Sequence, residues 1–425
     1  LKNLVKTFPK SSFLRGASVY LFSNIISAAV PFLLLPVLTR YLTPEEYGEI
    51  AMFQVLVGVF SAFVGVNVNG AIVRYYYNNK DTSNSDISSY IGVSIIILLI
   101  SIIIVSSVLF FSTEYISSLI NLSDKYIYMA VLVSAFTFLM KIRLSQYQIR
   151  ELPLKYSYIQ VSNTSLSVIL TLVLTIEYSY GSDGRINGLL ISSIIVGGIS
   201  IYLLFKEKLL SFNHLNKENF QDALSYGVKI IPHILGIFLL STIDRFVIGS
   251  NIGLSEAGVY MSAAQLAMVL SIVFDGINKA YVPWLFSILK RDDDIEKIKV
   301  VKLTYIYIIS LVIMMPFLFY LSPHIVKIIL GDEFSGAVNI IGLMLVAQCF
   351  NGIYLMFTNY IIYEKKTGKL SLVTIFCGGG HVFLSTLLIG NHGIYGVALS
   401  LLIIMFFRAI ITFYIASKCC NIKWY

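Results

Sequence analysis

The sequence is short of charge. Only 13% of its 425 residues are Asp, Glu, Lys or Arg, about half the ~25% usual in soluble globular domains. A chain this poor in charge cannot cover a soluble surface. That excludes a soluble enzyme, a disordered chain and a nucleic-acid-binding domain. Tryptophan is nearly absent, 2 residues against 28 Tyr and 28 Phe, so an interfacial aromatic belt has to be built mostly from tyrosine. The four cysteines, Cys349, Cys377, Cys419 and Cys420, sit in or beside apolar segments. They lack the spacing of a metal site or a disulfide framework. Long polar loops are missing too. The longest, about 206–226 and 284–301, are too short to fold as domains of their own.

What is present is apolar sequence, 57% of the chain. A membrane-crossing helix needs about 20 mostly apolar residues to traverse ~30 Å of hydrocarbon. Twelve runs qualify, at roughly 14–38, 50–72, 90–112, 126–147, 157–176, 186–205, 227–249, 258–283, 302–321, 336–358, 370–389 and 393–416. Prolines inside them (Pro31, Pro36, Pro232, Pro316) do not veto helices, because neighbouring helices re-satisfy the freed backbone groups. The expected fold is all-α and integral to the membrane, with about twelve spans and both termini cytoplasmic.

The +8 net charge is explained by topology. With the N-terminus inside, only Arg40, Lys125, Arg185, Arg245 and Lys327 fall on outer loops, and Arg408 falls inside the last span. The other lysines and arginines all fall on inner segments, as the positive-inside rule requires.

An internal repeat divides the chain. Residues 39–53 (TRYLTPEEYGEIAMF) overlie 249–263 (GSNIGLSEAGVYMSA) at an offset of 210, with Glu46 on Glu256 and Gly48 on Gly258. Six spans per half give the halves the same orientation, the arrangement of transporters with parallel repeats. The expected organisation is a six-helix lobe over 1–205, a cytoplasmic linker over 206–226 and a second lobe over 227–425. Rocking of one lobe against the other would expose a cleft alternately to the two sides.

The RYLTPEEYGEIAMFQ stretch, with DRFVIGSNIGLSEAGVYMSAAQLA (244–267) as its second-half counterpart, resembles the signature of Wzx-type O-antigen and capsule-repeat flippases. These are polysaccharide transporters of the MATE-like MOP superfamily. The resemblance implies translocation of undecaprenyl-diphosphate-linked oligosaccharide from the inner to the outer leaflet of a bacterial inner membrane. It also implies a cationic cavity. Partners would be the lipid-linked substrate, membrane lipid, and a polysaccharide polymerase with its chain-length machinery. No bound cofactor is called for, and either a proton or a sodium gradient is left as the drive. A multidrug exporter of the same fold and a membrane polysaccharide polymerase are the alternatives. Cationic drugs call for intramembrane acids, and a polymerase calls for a large outer loop.

A diphosphate is best held by arginine's planar donor fork. The candidates are Arg15 and Arg74 near inner helix ends, Arg143 beside an inner vestibule, and Lys279. Arg74 is expected to share a helix face with Asn67, Gly70 and Ala71. Each base has a plainer reading: an interfacial anchor for Arg15 and Arg74, a solvated cytoplasmic loop for Arg143, and for Lys279 the partner of Asp275 four residues away. Asp275 and His233 are the candidate ion-coupling groups. Arg408, alone in mid-span, must face something polar. Glu46, Gly48, Asp244, Arg245 and Gly258 form the gate motif that the resemblance suggests. Thr43-Pro44-Glu45-Glu46 also reads simply as a capped helix start. The run Cys377-Gly378-Gly379-Gly380 before His381 reads as a close helix contact or bend.

Overall fold

The computed structural model describes residues 11–78, 84–213, 215–291, 293–419, 422 and 424, without the side chains of 11–18, 20, 21, 84 and 85. Within them the chain is helical throughout: α1 (Ser11–Tyr41), α2 (Pro44–Phe63), α3 (Asn69–Asn78), α4 (Asn84–Ile120), α5 (Asp124–Ile149), α6 (Pro153–Leu172) and α7 (Gly181–Lys206) are followed by α8 (Lys217–Ser241), α9 (Ile243–Asn251), α10 (Leu254–Arg291), α11 (Asp294–Ile329), α12 (Val338–Tyr363) and α13 (Thr367–Cys419).

Eleven helical segments among the described residues are long and apolar enough to cross a membrane. The twelfth span is inside α13. Its 53 residues would extend about 80 Å at 1.5 Å per residue, far beyond the bilayer. At Gly393 the backbone takes φ 55° and ψ −142°, a region open essentially to glycine alone. There the chain doubles back, so that Ser400 reaches His381 at 3.0 Å and Ser385 at 3.1 Å. α13 is thus an antiparallel helical hairpin, and the expected spans 370–389 and 393–416 are its two arms. The chain is a multi-pass membrane protein. α11 presents Ile306, Ile309, Ile313, Phe317 and Tyr320 outward, an apolar face that suits lipid and not water.

Two expected spans are broken. The second divides into α2 and α3 at Val64–Asn67, where Gly65 has φ 74° and Val66 φ 48°. A Cβ on Gly65 would lie 2.4 Å from the Phe138 ring, and its N–H is taken by Ser101 Oγ at 2.8 Å. Asn67 therefore falls in the break and donates to the Ala62 carbonyl at 3.1 Å. It does not continue the helix face that carries Gly70, Ala71 and Arg74, as periodicity alone suggested. The seventh span divides into α8 and α9 at Thr242 (φ −141°), so Asp244 and Arg245 open a new helix.

The chain packs as two compact units. One joins Leu1–Pro31 to Leu56–Ile231, and the other joins Phe32–Val55 to Pro232–Tyr425. In the first, small residues let α7 approach α6 and the segment that follows it, with Gly188 against Thr171 of α6 and Gly184 against Thr175 of residues 173–177. In the second, α12 is the central helix. It buries Ile340 through Leu345, Cys349, Gly352 and Met356 through Ile361.

Within the second unit, α2 and α10 cross at their N-termini in a reciprocal contact. A Cβ on Gly48 would lie 1.9 Å from the Leu254 carbonyl oxygen, and one on Gly258 1.9 Å from that of Pro44. Pro44 and Leu254 are themselves 210 residues apart, so the sequence repeat is realised as a local two-fold. Such close approach is the geometry of Cα–H···O contacts worth roughly 0.5–1 kcal/mol each.

Candidate functional site

Five helices of the second unit, α8, α9, α10, α12 and α13, line a partly open cavity of about 180 Å³ whose wall is mostly apolar with a few charged and polar groups. α10 lines it with Ala264, Met268 and Ser271, α12 with Met344, Gln348 and Asn351, and the second arm of α13 with Leu401, Met405 and Arg408. In each helix the three residues stand at i, i+4 and i+7, one face of the helix. The break between α8 and α9 completes the wall with Ser241, Asp244 and Arg245. At ~30 Å³ per water the volume matches about six waters. That is room for a compact charged group.

The charged residues of the wall are nearly dry. Asp244 is 4% exposed, Arg245 5% and Arg408 9%. Each arginine is held on one side only. Arg245 Nη1 reaches Gln54 Oε1 at 3.5 Å, while the Arg408 guanidinium lies 3.6 Å from the centre of the Tyr354 ring with Nη1 at 3.9 Å from Met405 Sδ. The Nε of both arginines has no hydrogen-bond partner among the described residues. A buried ionic donor without a partner is costly, by ~1–3 kcal/mol or more. Two guanidiniums against one carboxylate leave the wall with an excess positive charge, the electrostatics of an anion site. Asp244 Oδ1 accepts the Arg245 backbone N–H at 2.8 Å, which directs its carboxylate back over the start of α9.

The α10 stripe continues past the cavity. Asp275 stands one turn beyond Ser271, about 6 Å along the axis, and pairs with Lys279 at 2.5 Å with both side chains roughly half exposed. The simple ion-pair reading of these two residues is what the structure has. His233 lies on the α8 face that carries Ile237 and Leu240 of the cavity wall, with Nδ1 buried and unpartnered among the described residues.

The first unit positions its bases differently. Arg74 on α3 meets Asp222 of α8 at 2.6 Å, lies 4.7 Å from the Tyr226 ring centre, and shares Asp222 with the Tyr90 hydroxyl at 2.7 Å. Arg143 is fully buried. Its Nη2 binds Glu207 at 2.6 Å and Tyr147 at 2.8 Å, while Nε and Nη1 have no partner among the described residues. Burial acts to raise the Glu207 carboxyl. The bond and charge of Arg143, with the charges of Lys155 and Arg150, outweigh it and hold Glu207 below the ordinary carboxylate range. The Arg15 side chain lies outside the described residues. Arg185, expected in an outer loop, is buried on α7 and donates to Thr171 at 2.8 Å. Arg245, also placed in an outer loop by its sequence position, is buried in the cavity wall.

The outer motif has a structural role. Thr43 N–H donates to Glu46 Oε2 at 2.9 Å, and Glu46 N–H to Thr43 Oγ1 at 3.2 Å, a capping box. Gly48 and Gly258 are the crossing described above. Gly378 packs on Gly236 and Leu239 of α8, so the glycine run makes a helix contact. Sequence reasoning treated Arg408 apart from Asp244 and Arg245. It left out Gln348 and Asn351, because their shared cavity depends on the break before α9 and on the hairpin at Gly393. A lone mid-span arginine was the one signal that pointed there.

The family described as polysaccharide biosynthesis protein matches residues 13–289. The capsular polysaccharide biosynthesis protein CapF of Staphylococcus aureus is 25% identical, over 94% of this chain and 98% of its own. The fold is similar to an inward-facing multidrug resistance MATE family transporter of the MOP superfamily, with TM-score 0.71, 15% identity, and 92% and 94% of the two chains covered. It is equally similar to the lipid II flippase MurJ in an inward closed conformation, with TM-score 0.71, 16% identity, and 94% and 87% covered. The chain therefore belongs to the polysaccharide biosynthesis protein family and has the fold seen in these MOP-superfamily proteins.

Proposed function

We propose that this transporter flips an undecaprenyl-diphosphate-linked oligosaccharide from the inner to the outer leaflet of the bacterial inner membrane, for O-antigen or capsule assembly. The observation that carries the reading is the pair of nearly dry arginines, Arg245 and Arg408, with unpartnered Nε groups on one small cavity. A diphosphate is the compact, multiply charged part of such a lipid, and two guanidiniums against one carboxylate suit it. Planar guanidiniums grip phosphate oxygens with paired donors. Arg74, Arg143 and Lys279, and Arg15, are proposed as earlier contacts on the headgroup's route from the inner side. Asp275 and His233 stand as ion-coupling candidates.

A cationic drug would meet net positive charge in this cavity, which disfavours export of such compounds. The polysaccharide family and the CapF likeness favour a glycan cargo.

The test is a vesicle assay with a defined undecaprenyl-diphosphate oligosaccharide. Purified protein should move it across, and Arg245→Gln and Arg408→Gln should slow transport at least tenfold with the protein still folded. Unimpaired transport in the double variant would defeat the assignment of the diphosphate to this cavity.

A further inference from the structure

Buried polar groups cluster at the inner end of α5. Arg143 is fully buried, and its Nε and Nη1 have no hydrogen-bond partner among the described residues. Gln146 stands three residues on, over the same helix face. It is fully buried too, and neither the oxygen nor the nitrogen of its amide has a partner among the described residues. Dry polar groups without partners are costly, ionic ones above all. Open donors beside a fixed, buried positive charge are what an anion site presents.

The place of the anion is taken by a carboxylate of the chain itself. Glu207 Oε2 lies 2.6 Å from Arg143 Nη2, and its Oε1 lies 3.9 Å from Lys155 Nζ. On local grounds Glu207 is badly placed. It caps the C-terminus of α7, where the negative end of the helix dipole disfavours an acid. Arg143 accounts for its presence there. The backbone holds the carboxylate in position. The Glu207 N–H donates to the Leu203 carbonyl at 3.0 Å, Lys208 turns the chain with φ 55°, and the Ser211 N–H donates to the Ser88 carbonyl at 3.1 Å. Of the two ionic partners Glu207 is the one that meets water, 33% exposed against 0% for Arg143. Access to Arg143 from water therefore runs past Glu207.

The carboxylate is nevertheless a partial fit. It engages Nη2 and leaves Nε, Nη1 and the Gln146 amide unused. A diphosphate carries more negative charge and more acceptor oxygens than a carboxylate.

We infer that Glu207 is a tethered stand-in for phosphate, displaced when a diphosphate headgroup from the inner side binds Arg143 and the Gln146 amide. The released carboxylate stays with Lys155. Without substrate the buried arginine is kept neutralised, and the site opens only to a ligand that out-competes the carboxylate. This inference rests on the proposal that Arg143 meets the headgroup on its route, and it adds how that contact is controlled.

The experiment measures binding of inorganic pyrophosphate to the full chain in nanodiscs at neutral pH. Arg245→Gln and Arg408→Gln are present throughout, so that the cavity of the second unit does not contribute. Glu207→Gln should tighten binding roughly tenfold by removing a competing charge. Adding Arg143→Gln should abolish that gain. Thermal melts check that each variant folds. A second measurement leaves residues 143 and 207 unaltered. Amide hydrogen exchange over residues 204–211 should speed up when pyrophosphate binds, the reverse of ordinary ligand protection, because the end of α7 loses its ion pair. No binding, or equal affinity with and without Glu207, overturns the inference. So does a gain that survives Arg143→Gln, or exchange that slows or stays unchanged. The transport proposal fails separately: a chain in which pyrophosphate displaces Glu207 but which moves no lipid in vesicles keeps this anion site and loses the lipid as its occupant.

Discussion

Gly48 and Gly258 stand 210 residues apart, and each sits where the carbonyl of the other's helix start occupies the place of its missing Cβ: Leu254 for Gly48, Pro44 for Gly258, both at 1.9 Å. Two backbones this close exclude any side chain at the crossing. Replacing either glycine by alanine should lower the thermal midpoint of the purified protein by several degrees, because backbone must move and overpacking costs roughly 1–3 kcal/mol or more. Gly276→Ala on the same α10, where a Cβ would meet nothing within 4 Å, should be neutral or slightly stabilising. Equal midpoints in all three variants would show that the crossing is looser than described.

Gly393 gives a second expectation. Its φ of 55° with ψ −142° is closed to residues with a Cβ, at a cost of order 1–3 kcal/mol. Gly393→Ala should lower stability and weaken the Ser400–His381 contact that the hairpin makes. Amide hydrogen exchange at residues 381–400 checks this directly. Unchanged protection there would count against the turn.

Glu207 predicts a pH dependence. Its carboxyl lies below the ordinary range in the folded chain despite partial burial, because Arg143, Lys155 and Arg150 favour the charged form. A group depressed on folding contributes stability above its unfolded pKa, and that contribution is lost as pH falls through the folded value. Glu207→Gln should therefore melt earlier than the unaltered chain at neutral pH, and the gap should close below the ordinary carboxylate range. A gap that persists unchanged in acid would assign the effect to packing.

Arg74 can be separated from its neighbours by exchange of charge. The pair with Asp222 is about 40% exposed, so its coupling should be only ~0.2–1 kcal/mol. The swap Arg74→Asp with Asp222→Arg should restore stability relative to either single variant. Transport measured in vesicles then divides the two roles. Recovery of transport means that Arg74 serves the ion pair alone, and continued loss places it on the route of the substrate.

Much of this was legible in the sequence. Twelve apolar runs and the sided placement of bases gave the spans, since hydrocarbon thickness and positive-inside topology both act on linear segments. The capping box at Thr43–Glu46 and the Asp275–Lys279 pair were readable because they close within one helical turn. The breaks were not. Val64–Asn67 departs from helical geometry where Gly65 packs against Phe138, a residue over seventy positions away. The cavity was hidden for the same reason: Asp244, Arg245 and Arg408 meet through tertiary packing, and no spacing in the chain announces it. The repeat could have drawn attention to them. At the same offset, Asp244-Arg245 takes the place of Leu34-Leu35, and Arg408 that of Gly198. The halves agree at the crossing and differ at the charges.

The packing of Phe32–Val55 with Pro232–Tyr425 has a consequence for how the protein is made. This segment leaves the ribosome early, yet the helices it packs with are translated only after Leu56–Ile231, a stretch of about 175 residues. At roughly 5–20 residues per second, the delay is on the order of 10–35 s. During that time the segment from Phe32 to Val55, with its glycine crossing unformed, waits in the bilayer for a partner not yet synthesised.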